Sequence, residues 1–458
     1  MNVPAALSMK DRWTNRALFT LIWPLVIEQI LSMTIGAVDT FMVSPLGEAA
    51  VSAVNIVDNI NNFFIIVFIA LSTGGAVVVS QYIGRKDSEN ASFAARQLIY
   101  IVFISSLLIT SIAVLFSRPI ISLFYGRIEN DVMSTAVTYF LFTGLSYPAV
   151  AVYSVCAALY RSVGNSQLPM KTAIFMNILH IGGNYFLLYG MRTGIEGIAV
   201  STLISRIVAA AIIFVMLTTN RNLPISFEKI LRIKLHAPMI KRILNIAVPT
   251  GIENSMFQLG RLLTQRIFPI FGTSIIAANA TASVINMLSF ITGNAFALSM
   301  LTVVGQCMGA RDIEMAKKTA TKILMSSWVT LIISNTLIFI FRNSLVSFFH
   351  LGPEAAAAAS KFLTIHCISL GLFWSLSFTV PNALRAAGDA KYVMVVATVS
   401  MWLVRVLAAY LLTFTLGLGP TGAWLAMGGD FVFRAIFFVH RWRSGRWQKF
   451  KVIGNTNE

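Results

Sequence analysis

The sequence predicts an all-α membrane protein of twelve transmembrane helices, arranged as two parallel-repeat six-helix bundles around a central cavity. Three observations predict it: a shortage of charge, a series of apolar runs of bilayer length, and an internal repeat at constant offset. The residues AVILMFWYC make up 57% of 458 positions and DEKR only 12%, with a mean hydropathy of +0.76. Soluble domains carry about 25% charged residues. Half of the usual ionic surface is missing, which excludes a soluble enzyme, a disordered chain and a disulfide scaffold. Cys156, Cys307 and Cys367 lie far apart in apolar runs, with no metal or redox spacing.

A helix needs about 20 apolar residues to cross a bilayer. Runs of that kind occupy residues 17–43, 50–81, 94–117, 132–160, 168–189, 195–218, 243–271, 274–308, 321–341, 358–384, 392–415 and 421–440. None alternates with period two, as a barrel strand would. No short apolar region with a small-residue cleavage site follows Lys10, Arg12 and Arg16, so no cleaved signal peptide is expected. The boundaries give an N-lobe over 1–218, a polar cytoplasmic linker over 219–242, a C-lobe over 243–440 and a basic cytoplasmic tail over 441–458.

Charge fixes the expected orientation. Counting the first turn of a span with the loop before it, twenty-five of 35 Lys and Arg fall at the termini or in loops after even-numbered spans. Five fall on the opposite side (Arg118, Arg127, Arg192, Arg342, Lys361) and five within spans (Arg206, Arg261, Arg266, Arg405, Arg434). The positive-inside rule then puts both termini in the cytoplasm of an integral plasma (inner) membrane protein. This asymmetry accounts for most of the +17 net charge. Nucleic acid is not an expected partner, because no soluble basic face exists to carry it. The expected partners are membrane lipid and a small-molecule substrate, with the protein a monomer and no cofactor beyond a coupling ion.

The repeat is legible by subtraction. Gln81–Asp87 after span 2 returns as Gln306–Asp312 after span 8, an offset of 225. The same offset relates Pro24 to Pro249, Glu28 to Glu253, Gly47 to Gly272, Ala53 to Ala278, Asn61 to Asn286 and Gly197 to Gly422. Arg161 and Gly164 match Arg385 and Gly388 at 224. Six spans per copy means that both halves enter from one side, as parallel repeats. In such architectures the site lies near the midplane and one half rocks against the other.

Ionisable residues inside spans are functional candidates, since a central charge costs roughly 2.5–3.5 kcal/mol to insert. Leaving aside Glu196 at the very start of span 6, five acids qualify: Glu28, Asp39, Asp58, Glu253 and Asp430. Glu28 and Asp39 return to one helix face roughly 16 Å apart, with Pro24 one turn before Glu28. Span 2 carries Asn55, Asp58, Asn59 and Asn62 as one polar stripe, and span 5 carries Asn177, His180 and Asn184. These groups reach a similar depth in the outer half. A carboxylate there can take a proton, bind Na⁺ with amide oxygens, or pair with a cationic substrate. Asp39, Asp58, Asn177, His180 and Asn184 are therefore the candidate cation-coupling residues, and Asp39 with Asn177 the candidate Na⁺ site. Asparagines can also simply join helices, at about 0.6 kcal/mol per bond.

Pro24, Glu28, Glu253, Arg261 and Arg405 are candidates for gating or for the cavity. Asp430 is expected to pair with Arg434 at i+4. The second lobe has Thr264 where Asp39 would repeat, with Gln258, Arg261 and Gln265 along span 7. Asn61, Phe64, Phe257, Gln258, Asn286 and Met287 mix aromatic walls with sparse polar groups, a suitable lining for amphipathic molecules.

These residues resemble the multidrug and toxic compound extrusion (MATE) family. The likeness rests on Pro24 with Glu28, Val38–Val43 before Leu46-Gly47, the Gln81–Asp87 loop and its copy, and Arg161–Asn165 with Arg385–Asp389. It implies a cation-coupled exporter of two six-helix bundles with a V-shaped cavity and alternating access. It also implies first-lobe cation-site roles for Asp39 and Asn177. Ile181 stands where many members place a second carboxylate, which favours H⁺ over Na⁺. Gln258 stands where the NorM-like branch has glutamate, so the chain looks closer to DinF-like or MepA-like branches.

The expected function is H⁺- or Na⁺-coupled antiport of organic, cationic or amphipathic small molecules by a rocker switch. The alternatives are a flippase of a lipid-linked precursor, which Arg261, Arg266 and Arg405 keep open, and a dedicated exporter of one natural product. A major facilitator would need Gly-x-x-x-Asp-Arg after span 2, and a membrane prenyltransferase paired Asp-rich motifs. Neither pattern occurs.

Overall fold

The computed structural model describes residues 12–228, 230 and 232–454, without the side chains of Thr34, Ala37 and Leu288. Lys10 and Lys229, two of the inner-side charges, and residues 455–458 of the tail lie outside the described residues.

The protein is an all-helical integral membrane protein of two repeated six-span bundles. Among the described residues, nine helices are long and apolar enough to cross a membrane. A tenth is the pair Asn130–Leu145 and Tyr147–Ser162, bent by 43°. Spans 5 (Gln167–Tyr185, prolonged by a π turn at Phe186–Gly190) and 7 (Ala237–Gln265) complete the twelve. These two fall short of the apolar character of the other ten.

The remaining spans run Asn15–Val43, Glu48–Gly84, Ser88–Leu115, Gly194–Thr219, Thr273–Gly309 and Ile313–Ser347. Spans 10 to 12 run 353–387, 390–415 and Pro420–Arg443. Several expected boundaries were too short. Arg342 and Lys361, expected in outer loops, lie inside helices, and Arg118 lies in a short helix, Ser117–Tyr125, between spans 3 and 4. The bend of span 4 has a local cause. Pro148 has no N–H for the carbonyl of Gly144, and the Thr110 hydroxyl donates to that oxygen instead.

Both copies of the repeated loop fold alike. Lys86 and Arg311 take left-handed φ of 63° and 58°, ending spans 2 and 8. Asp87 and Asp312 then cap the next helices, accepting from the N–H of Asn90 and Met315 at 3.0 and 2.9 Å. Gly47 and Gly272 share φ near 100° and 92° after matching proline-containing turns, a conformation that a Cβ would strain.

Two compact units part inside helices. One takes Phe19–Gly251, so it ends within span 7; the other takes Ile252 onward together with Arg12 through Leu18. In the first unit the irregular chain before span 7 is strapped to span 3. Tyr100 donates to the carbonyl of Ile230, Gln97 to that of Lys234, and the Ser226 N–H donates to Ser92. In the second unit, Phe362 and Trp424 stack at 5.5 Å in an apolar core. The basic tail is not merely a charged extension. Trp447 is fully buried on Trp442, and Arg441 donates to Asp389 at 2.6 Å.

Candidate functional site: a carboxylate nest in the first bundle

Span 1 delivers Asp39 one turn before its end, where the side chain is only 3% exposed. Span 5 supplies the neighbours. Asn184 Nδ2 donates to Asp39 Oδ1 at 2.8 Å, and His180 Nε2 lies 3.3 Å from the same oxygen. His180 and Asn184 are four apart, so both meet one carboxylate from one helix face. His180 Nε2 also lies 3.1 Å from Thr202 Oγ1, whose hydroxyl donates to the carbonyl of Ile198. Two acceptors therefore face Nε2, which assigns the proton of a neutral ring to Nε2. His180 Nδ1 and Asn184 Oδ1 are buried with no hydrogen-bond partner among the described residues.

Two further charges act on the nest. Asp58, half-buried on span 2, and Arg206, half-buried on span 6, lie within electrostatic reach of Asp39. Tyr139, fully enclosed on span 4, feels all three charges. Arg206 Nη1 donates to Ser146 at the bend of span 4 at 2.8 Å. Two carboxylates and one guanidinium leave one negative charge in excess.

The structure thus brings Asp39, His180 and Asn184 together, with Asp58 as an electrostatic neighbour. It does not bring in Asn177, whose Nδ2 donates to the carbonyl of Ala173 on its own helix. Na⁺ would need several oxygens turned inward. The atoms aimed at Asp39 Oδ1 are N–H donors, a poor lining for that ion at this oxygen, while Asn184 Oδ1 is left unengaged. Arg206 was missed as a member of this group. Its signal was available, since an arginine inside a span is exceptional by the same cost used to select the acids.

The other candidates resolve into pairs. Glu28 accepts from Arg161 Nη1 at 2.8 Å, and Glu253 takes Arg385 Nη2 on both oxygens at 2.6 Å. Each pair closes inside its own bundle, and the repeat that matched the acids at an offset of 225 matched the arginines at 224. Pro24 leaves the carbonyl of Thr20 without its helical donor, and Ser166 donates to the neighbouring Leu21 carbonyl. Asn61 and Asn286, expected in a cavity wall, are buried inside their bundles. Asn61 accepts from Tyr147 at 2.8 Å, while Asn286 has no partner among the described residues. Phe64, Phe257, Gln258 and Met287 are half-buried, and Phe64 packs on Tyr147.

The second bundle holds a different cluster. Asp430 is fully buried, with Oδ1 held by Arg434 Nε at 2.8 Å as the i+4 spacing predicts, and also by the Ser400 hydroxyl. Arg405 Nη1 stands 3.5 Å from Oδ2. Arg261 is exposed and lies within electrostatic reach of Arg405.

Comparison with known proteins agrees with the repeat. The MatE family profile matches residues 24–186 and again 249–411, two copies at the offset of 225. An uncharacterized transporter YisQ of Bacillus subtilis is 28% identical over 436 residues, 94% of each chain. A probable multidrug resistance protein NorM of Thermotoga maritima is 25% identical, covering 96% of this chain and 94% of that protein. Among solved structures, MATE in a bent conformation superposes with a TM-score of 0.88 at 18% identity, covering 95% of this chain and 96% of the other. An outward-facing MATE multidrug resistance transporter of the MOP superfamily gives 0.87 at 17%, with 95% and 96% covered. At such identities the superpositions establish the fold alone. The two profile matches span well over half of the sequence, and the chain belongs to MatE, a family of membrane transporters.

Proposed function

We propose that the protein is a proton-coupled antiporter that exports organic, cationic or amphipathic small molecules by alternating access, with Asp39 as the coupling group. The observation that carries this reading is the burial of Asp39 among neutral donors. As a carboxylate it accepts from Asn184 and faces His180. A proton on it weakens both contacts and creates a donor that needs an acceptor. Asn184 Oδ1, buried and unpartnered, is the acceptor at hand. The nest therefore has two hydrogen-bonded arrangements that differ by one proton. A ligand shifts a two-state element only by its differential affinity for the states, and a proton has such a differential here.

The donors around Asp39 favour H⁺ over Na⁺. Glu28, Glu253 and Pro24 act in this reading as rigid parts of each bundle. The charge asymmetry of the loops supports a plasma-membrane protein with both termini in the cytoplasm. Gln258 supports a place nearer the DinF-like or MepA-like branches than the NorM-like one. Imposing a pH gradient and a Na⁺ gradient separately on proteoliposomes tests the coupling. Uptake of a cationic dye should follow ΔpH and ignore Na⁺. The opposite pattern overturns the assignment, and movement of a fluorescent lipid without dye transport would favour the flippase reading.

A further inference from the structure

We propose that the second bundle contains a binding site for the carboxylate of an amphipathic organic molecule. Arg405 would receive the anionic head, and Phe257 and Phe378 its apolar body. This deepens the transport reading by naming an acidic group on the substrate, and it rests on that reading for its physiological meaning.

The charges of the cluster do not balance. Arg405 and Arg434 share one carboxylate, Asp430, and Arg261 adds a third positive charge within electrostatic reach of Arg405. Asp430 is already engaged by Arg434 and Ser400 through Oδ1. Arg434 completes its bonding on the carbonyl of Ala397 at 3.2 Å. Arg405 is left with a 3.5 Å contact to Oδ2, longer than a charge-assisted hydrogen bond, though it is only 7% exposed. A guanidinium has five N–H donors and cannot shed its charge. One carboxylate shared between two buried guanidiniums compensates them incompletely, and water would satisfy the remaining donors without neutralising them. A planar monoanion matches the fork of Arg405 in both geometry and charge.

The surroundings fit an apolar body attached to that anion. Phe257 lies 5.3 Å from the guanidinium carbon of Arg405 and 5.5 Å from that of Arg434. Phe378 lies 5.3 Å from Arg434 and stacks on Trp374 at 5.1 Å. Phe257 and Phe378 are half-buried, and Arg261 is exposed one turn beyond Phe257 on span 7. The cluster is thus reachable from the surface of its bundle. A charged side chain at such a depth faces protein or water rather than lipid.

Two further observations point the same way. Arg405 sits in a π-wound stretch, Ser400–Leu407, and Phe378 in another, Ser375–Thr379. Such windings cost backbone geometry and are frequent at functional sites. His366, 1% exposed and within electrostatic reach of Arg405, has neither ring nitrogen partnered among the described residues. Buried polar groups are rarely left so.

The test uses the purified full chain in lipid nanodiscs, without any ion gradient. The probes are a rhodamine with a free benzoate and its methyl ester, which share one aromatic body and differ in the anion. Fluorescence anisotropy should show the acid bound at least about tenfold tighter than the ester. Unlabelled benzoate should displace the acid, and chloride at equal ionic strength should not. Arg405→Gln should bring the ratio of the two affinities close to one. Arg405→Lys keeps the charge without the fork and should give an intermediate ratio. Arg261→Gln, at an exposed position that tolerates change, should lower the ratio about threefold. Equal affinities in the wild type overturn the proposal, as does a ratio unmoved by both Arg405→Lys and Arg261→Gln. Should Arg405→Gln not fold, those two variants decide. Loss of ΔpH-driven transport with the ratio intact would sink the antiport reading alone; a flat ratio with intact transport would sink the carboxylate site alone.

Discussion

At the place where the first bundle carries Asp39, the second carries Thr264, and at the place of His180, 225 residues on, it carries Arg405. One ancestral scaffold has thus been charged with opposite signs. The first bundle surrounds carboxylates with neutral donors and a single arginine, Arg206. The second surrounds arginines with rings and a single carboxylate, Asp430. A lone buried carboxylate can neutralise itself by taking a proton. A buried guanidinium cannot, and must find an anion or a π face. The first arrangement suits a switch, and the second suits a fixed recognition surface.

The sharpest way to break this comparison is to exchange the groups. Asp39→Asn should abolish ion-driven dye efflux from cells while leaving the protein in the membrane at its normal level. Adding Thr264→Asp to that variant should not restore efflux, because among the described residues the Thr264 hydroxyl bonds only within its own helix. Extrusion by Asp39→Asn at the wild-type rate would remove Asp39 from the mechanism.

Stability should show the reverse ranking. Asp430→Ala leaves two buried guanidiniums without a counter-charge and should cost about 3–5 kcal/mol. Asp39→Ala orphans neutral donors and should cost about 1–3 kcal/mol. Thermal unfolding in detergent compares them, and adding Arg434→Ala to Asp430→Ala should recover part of the loss. Equal costs would mean that the charge asymmetry has no energetic counterpart. A smaller contrast is expected between the repeated ion pairs. Glu253→Gln breaks two contacts to Arg385, and Glu28→Gln one to Arg161. By the ordinary worth of charged hydrogen bonds, the first should cost about 3 kcal/mol and the second about 1.5.

Much of this fold was legible because bilayer physics is one-dimensional. Span length and the repeat offset survive in sequence, and the Asp430–Arg434 pair followed from helical spacing alone. What escaped was pairing between helices. The positions of Glu28 and Arg161 were both in view, as were those of Glu253 and Arg385, yet nothing along the chain says that spans 1 and 4 bring them within 2.8 Å. Asn177 and Asn184 look equivalent on one helix face, but the bonding geometry gives only Asn184 to Asp39. Arg206 stands out by lying inside span 6, but nothing along the chain says which carboxylates it faces. The π-wound stretches leave no periodicity to read, because one extra residue per turn is invisible in an already apolar run.

The smallest predicted effect concerns the place where the bundles should agree. Asp87 and Asp312 cap spans 3 and 9 with nearly equal geometry, at 3.0 and 2.9 Å, behind Lys86 and Arg311 in the same left-handed turn. Their chemistry is local, so the opposite charging of the two bundles should not reach them. Asp87→Ala and Asp312→Ala should each cost about 1 kcal/mol, and the double variant should cost their sum to within about 0.5 kcal/mol. Asp87 has one extra contact, its second oxygen accepting from Asn90 Nδ2 at 2.8 Å. Any excess for Asp87→Ala should therefore vanish in an Asn90→Ala background. A large difference that persists there would mean that the two loops serve different purposes despite their shared form, and the contrast between the bundles would extend from their charged interiors to these loops.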